Sequence, residues 1–126
     1  MKAPGRVLRI DHVQLAMPKG SEDRARSFYR DVLGMKEIPK PEALAGRGGC
    51  WFASGDAQVH LGVEEDFRPA KKAHPALVVE GLDEILARCE TAGLPTKPDA
   101  EINGRRRVHV FDHLGNRLEL IEAEGT

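Results

Sequence analysis

Residues 74–79, H-P-A-L-V-V, decide the fold, because they restate residues 10–15, I-D-H-V-Q-L: a histidine heading an apolar run. Each run precedes a segment with helical spacing that ends at a glycine, Gly34 in the first half and Gly93 in the second. Twenty-six residues separate Gly34 from His60, and twenty-six separate Gly93 from Glu119. Four potential metal ligands, His12, His60, His74 and Glu119, therefore recur in register, as expected for a duplicated module.

Working outward from the first run, residues 7–15 read as an interior strand. After the turn Pro18-Lys19-Gly20, Ser21 is placed to cap a helix reaching Asp31 or Leu33. Glu22 and Asp23 sit in its first turn, where the helix dipole favours acids. Ala25, Phe28, Tyr29, Val32 and Leu33 give it one apolar face, and Gly34 ends it. Strands are expected at 35–38, 49–54 and 57–63, the last two joined by Gly55-Asp56. Residues 39–49, rich in Pro and Gly, read as a loop near the mouth of a pocket.

The second half repeats this order. A strand is expected at 74–79, a helix at 83–92, and strands near 96–97 and at 106–111 and 117–122. The segment 112–116 makes the last turn. The expected fold is α+β: two βαβββ modules whose mixed sheets form a cup. Module one covers about 7–63 and module two about 73–122, joined by the linker 64–72, in a single domain over residues 1–126.

Nineteen Lys and Arg nearly cancel twenty Asp and Glu, so the composition offers neither a nucleic-acid footprint nor a membrane-surface one. No run approaches the roughly 20 apolar residues of a spanning helix, and a soluble cytoplasmic protein is expected. Cys50 and Cys89 form no C-x-x-C pair and read as reduced packing residues.

Strand alternation puts His60 on one face with Gln58 and Gly62, while Val59, Leu61 and Val63 take the opposite face under the helix. Glu119 likewise stands opposite Leu118 and Leu120 and beside Arg117 and Ile121. Imidazole and carboxylate ligands suit a borderline divalent ion such as zinc, nickel, iron, manganese or cobalt. The lack of thiolates argues against a structural zinc site. Taken singly, each of the four residues fits a structural role as well as a ligand role; their shared register favours a common site.

The segments R-I-D-H-V-Q-L-A, A-R-S-F-Y-R-D-V-L-G-M, V-H-L, H-P-A-L-V-V and D-H-L-G-N-R-L-E-L-I-E resemble the vicinal oxygen chelate superfamily over nearly the whole chain. That superfamily includes glyoxalase I, methylmalonyl-CoA epimerase, extradiol dioxygenases, fosfomycin-inactivating thiol transferases and bleomycin-sequestering proteins. The resemblance implies metal ligands at His12, His74 and Glu119. His60 falls at the fourth position, held by glutamate in many glyoxalase I enzymes and by glutamine in methylmalonyl-CoA epimerase. Histidine departs from both, leaving Glu119 as the one carboxylate available as a catalytic base. The turn 112–116 also departs from the family's D-P-D-G-N, and His113 is expected on the surface.

Gln14, which shares parity with His12, and Trp51, beside the loop, are candidate substrate contacts. Arg107 is a candidate anchor for an anionic substrate. The resemblance further implies a homodimer, in which His12 and His60 of one chain meet His74 and Glu119 of its partner. The expected activity is a metal-dependent, glyoxalase-like lyase or isomerase, binding two neighbouring oxygens of a small-molecule substrate on a divalent ion. The alternatives are a non-haem iron dioxygenase using His12, His74 and Glu119, and a metal-free protein that sequesters a ligand as bleomycin-resistance proteins do. Only 5% aromatic residues argues against the aromatic cleft which that last reading needs.

Overall fold

The computed structural model describes residues 2–125. Its first module runs β1 (Val13–Met17), α1 (Glu22–Tyr29), β2 (Lys36–Ile38), β3 (Cys50–Ser54) and β4 (Ala57–Val63). Its second runs β5 (Ala76–Val79), α2 (Leu82–Thr91), β6 (Thr96–Ile102), β7 (Arg105–Phe111) and β8 (Arg117–Glu122). Each module thus has the order βαβββ, and each folds into a four-stranded mixed sheet: β1-β4-β3-β2 in the first, β5-β8-β7-β6 in the second. Both sheets place their first strand parallel to their last, so β1 pairs with β4 and β5 with β8.

Alternation sends Val59 and Leu61 of β4, and Leu118 and Leu120 of β8, into the core with the helices. Phe28 and Tyr29 of α1 and Leu82, Ile85 and Cys89 of α2 join the same buried cluster, so the two modules share an interior. Cys50 and Cys89 are both buried free thiols. No helix among the described residues is long and apolar enough to cross a membrane.

The structure departs from the sequence expectation at element ends. The first strand starts at Val13 rather than Val7; in its register with β4 residue 11 would already face Ala57, where β4 opens, so residues 7–10 have no β4 backbone to pair with. Val7, Leu8 and Ile10 consequently stand 90%, 70% and 78% exposed. His74 lies just before β5 rather than in it, since Pro75 has no N–H for a ladder and serves only as acceptor to Glu119.

Helix α1 closes at Tyr29, and the chain then widens: the amides of Asp31 and Leu33 reach back five residues, to Arg26 and Phe28. Gly34, at φ 74°, takes the left-handed conformation that completes the exit. Ser21 donates to the Pro18 carbonyl and makes no side-chain cap. Strand β6 is far longer than expected. All seven of its residues are exposed, so pairing with β7 alone defines it, and Pro98 is accommodated because β6 is an edge.

Candidate functional site

Register carries the polar faces of the two sheets. Gln14 of β1 and Trp51 of β3 both pair with His60 of β4, so the three side chains emerge on one face of the first sheet. His12, one turn of the pleat upstream, joins them. Its ring stacks on His60 with centroids 4.1 Å apart, and the Trp51 indole stacks on the other face of His60 at 3.8 Å. His60 is thus sandwiched between two rings and is buried.

Hydrogen bonds assign the ring nitrogens. A carboxylate only accepts, so His12 Nδ1 donates to Asp11 Oδ2 at 2.8 Å, which leaves Nε2 as the nitrogen able to serve as a ligand. That bond holds the Asp11 carboxyl below its ordinary range. His60 Nε2 lies 3.1 Å from Gln58 Oε1, to which it donates. Burial pushes the His60 imidazole down from its ordinary value, and the neighbouring His12 adds to the effect against the opposing pull of Asp11. Gln14 lies across Gly62, where a Cβ would come within 2.5 Å of its amide nitrogen. Gln14 and Trp51 also line a hollow of about 270 Å³ together with Lys40 and Arg47.

On the second sheet, Glu119 of β8 pairs with Ala76 of β5 and with His109 of β7. His74 Nδ1 donates to the Lys72 carbonyl at 2.7 Å, and its Nε2 faces Glu119 Oε1 at 3.1 Å. A proton on Nε2 makes this contact a hydrogen bond and an ion pair, and a cation bound between the two atoms would take the place of that proton. Two ligands about 2.1 Å from one ion and 90–109° apart would lie about 3.0–3.4 Å from each other, so the pair fits a divalent metal.

Glu119 Oε2 takes Arg107 Nη1 at 3.4 Å. Arg107 also donates from Nε to the Ala100 carbonyl at 2.6 Å and pairs through Nη2 with Asp99 at 3.2 Å. His109 donates from Nε2 to Asp99 at 2.9 Å and accepts from Arg117 Nε at 3.3 Å.

The ligand-forming atoms of His74, His109 and Glu119 lie within 4.8 Å of one another, the one such grouping among the described residues. His12 and His60 are not in it. The chain therefore brings its four expected ligands together as two pairs, one on each sheet. His12, Gln14 and His74 do border one groove of about 800 Å³ between the edge strands β1 and β5. His109 was not singled out from the sequence as a site residue, although its parity with Arg107 was visible; only the β7–β8 register sets it opposite Glu119. Arg106 pairs with Asp83 at 2.8 Å. His113 is half-buried rather than on the open surface, edge-on to Phe28, because the last turn folds back over α1.

Residues 9–120 match the Glyoxalase/Bleomycin resistance protein/Dioxygenase superfamily. The chain belongs to this superfamily. A protein from Bacillus anthracis assigned to the glyoxalase family has a crystal structure that superposes with a TM-score of 0.88, at 44% identity over 97% of this chain and 100% of that one. Lactoylglutathione lyase of Haemophilus influenzae is 27% identical, over 94% of this chain and 96% of that enzyme. The fosfomycin resistance protein FosX of Listeria monocytogenes shares the fold, with a TM-score of 0.71 at 15% identity over 96% of this chain and 95% of that one. The superfamily fold accounts for both cupped sheets of the chain.

Proposed function

We propose that the protein is a metal-dependent enzyme of the glyoxalase type, a lyase or isomerase acting on a small substrate with two neighbouring oxygens. The observation that carries this reading is the convergence of ligand-type atoms on the second sheet, where His74 Nε2 lies 3.1 Å from Glu119 Oε1 within a grouping no wider than 4.8 Å. Likeness to a lactoylglutathione lyase supports the reaction class.

The ion would be divalent, one of zinc, nickel, iron, manganese or cobalt. Its centre would join His12 and His60 of one protomer to His74 and Glu119 of the partner subunit in a homodimer. Two features support this arrangement. The two pairs belong to no common group within one chain, and the exposed Val7, Leu8 and Ile10 beside His12 call for a cover that a second copy would provide. When bound, the ion supplies a Lewis-acid charge that favours negative charge developing on the two substrate oxygens. Glu119 is the base that takes a proton from the adjacent carbon. Gln14 and Trp51 shape the substrate end of the cleft, and tight stacking of Trp51 on His60 keeps the wall rigid.

The test is metal analysis of freshly purified protein alongside His74→Ala, with formation of S-lactoylglutathione from glutathione and methylglyoxal as the first assay. The expected result is a retained divalent ion that His74→Ala loses. Protein with no divalent ion, its metal content unaltered by His74→Ala, would overturn the reading.

A second reading rests on His60 donating to Gln58. With His60 held off, His12, His74 and Glu119 form the two-histidine, one-carboxylate set of non-haem iron oxygenases. Anaerobic loading with iron(II) followed by oxygen uptake with catechols favours this reading if oxygen is consumed. Absence of uptake in iron-loaded protein excludes it.

A further inference from the structure

We infer that Arg107 is a positioning residue, part of a frame that orients Glu119 for the ion and for the substrate. Each of the three guanidinium nitrogens has an acceptor: Nε the Ala100 carbonyl, Nη2 Asp99 and Nη1 Glu119. The side chain is 17% exposed and that of Glu119 9%. Three of the five guanidinium N–H donors are thus already spent on protein acceptors, which holds the group against the sheet and leaves it poorly placed to grip a substrate carboxylate or phosphonate with two prongs. Its work is on Glu119.

The frame is itself held. Asp99 Oδ2 receives His109 as well as Arg107, and His109 Nδ1 receives Arg117, whose Nη1 reaches the Lys71 carbonyl three residues before His74. With both ring nitrogens engaged, His109 is a strut between Asp99 and Arg117 rather than a third ligand, despite standing within ligand range of His74 and Glu119. The consequence for Glu119 is directional. Arg107 occupies Oε2, so the carboxylate cannot rotate freely or chelate with both oxygens, and Oε1 alone points at His74. Outer partners of this kind commonly alter metal affinity by 10–100-fold.

This inference rests on the metal-dependent reading, and the experiment separates the two. The probe is cobalt(II), added to metal-free protein and followed by its visible absorption and by competition with a chelator, without substrate. Wild type is expected to bind, and His74→Ala to lose binding; failure of wild type to bind sinks both the reading and the inference. If wild type binds, Arg107→Gln is expected to weaken cobalt(II) by about 10-fold or more and shift the visible band, while Arg107→Lys recovers part of the affinity. Thermal melting of each metal-free variant identifies one that has failed to fold. In that event Asp99→Asn, at an exposed strand position, carries the same expectation with a smaller loss of affinity. Cobalt(II) affinity and spectrum identical to wild type in folded Arg107→Gln, or in Asp99→Asn where the former fails to fold, would overturn the inference. A change confined to KM for an anionic substrate would instead assign Arg107 to substrate anchoring.

Discussion

The Tyr29 hydroxyl donates to Asp112 Oδ2 at 2.7 Å, joining the end of α1 in the first module to the last turn of the second across 83 positions of sequence. Both groups are buried, and Asp112 also receives the amides of Leu114 and Asn116 and the Asn116 side chain. Asn116 in turn donates to the Ala16 carbonyl at the foot of β1, so one small network ties both modules together. Tyr29→Phe keeps the ring packing on Phe28 and Phe52 and removes only the hydroxyl. It is expected to cost about 1.5–3 kcal/mol in denaturant unfolding, the range for a hydrogen bond to a charged group.

Stability is expected to fall in alkali. Burial pushes the Cys50 thiol up from 9.0 to about 11, and burial together with Asp112 raises the Tyr29 hydroxyl well above its ordinary value. An unfolded thiol ionises near 9 and the folded one near 11, so the unfolded chain releases its proton first as pH rises. The stabilisation is complete below pH 9 and is lost between about 9 and 11. Denaturant midpoints should decline across that window, and iodoacetamide should label Cys50 only as fast as the protein opens. A flat profile from pH 8 to 11 would contradict this.

If each centre is shared between subunits, two defective chains will repair one another. Mixing His12→Ala with Glu119→Gln, unfolding and refolding them together, is expected to restore about half of the metal sites in mixed dimers, whereas either variant alone stays depleted. A centre built within one chain predicts no recovery, and elemental analysis distinguishes the two.

Gly49 sits at φ 84°, and a Cβ there would fall 2.1 Å from the Leu61 carbonyl oxygen. Backbone cannot rotate away as a flexible side chain can. Gly49→Ala is expected to destabilise by about 2 kcal/mol or more, from left-handed strain plus displacement of β4. The loss is read as a fall in the thermal midpoint. Gly34→Ala, with the same sign of φ but open space around it, should cost less.

The repeat was legible in the sequence because both halves keep the same order of apolar periods, and local alternation was enough to place His60 and Glu119 on the faces away from the helices. The spans 57–63 and 117–122 match the observed β4 and β8, strands that send Val59 and Leu61, and Leu118 and Leu120, into the core. Only the start of strand β6, near 96–97, was legible, because the strand is exposed throughout, and one formed by ladder bonds alone leaves no hydrophobic period to read. The upstream limit of β1 was lost for a related reason: Val7, Leu8 and Ile10 look like strand, but a strand needs a neighbour, and β4 ends its reach at Ala57.

By itself, then, the sequence determined the family, the module order and which residue types could bind a metal, since these follow from side-chain chemistry and spacing along one segment at a time. Only the tertiary structure decided which of those residues meet. His12 goes to His60 and His74 to Glu119, Arg107 turns from open solvent to Glu119, and His109 becomes a strut, because strand register brings together atoms that chain distance keeps unrelated.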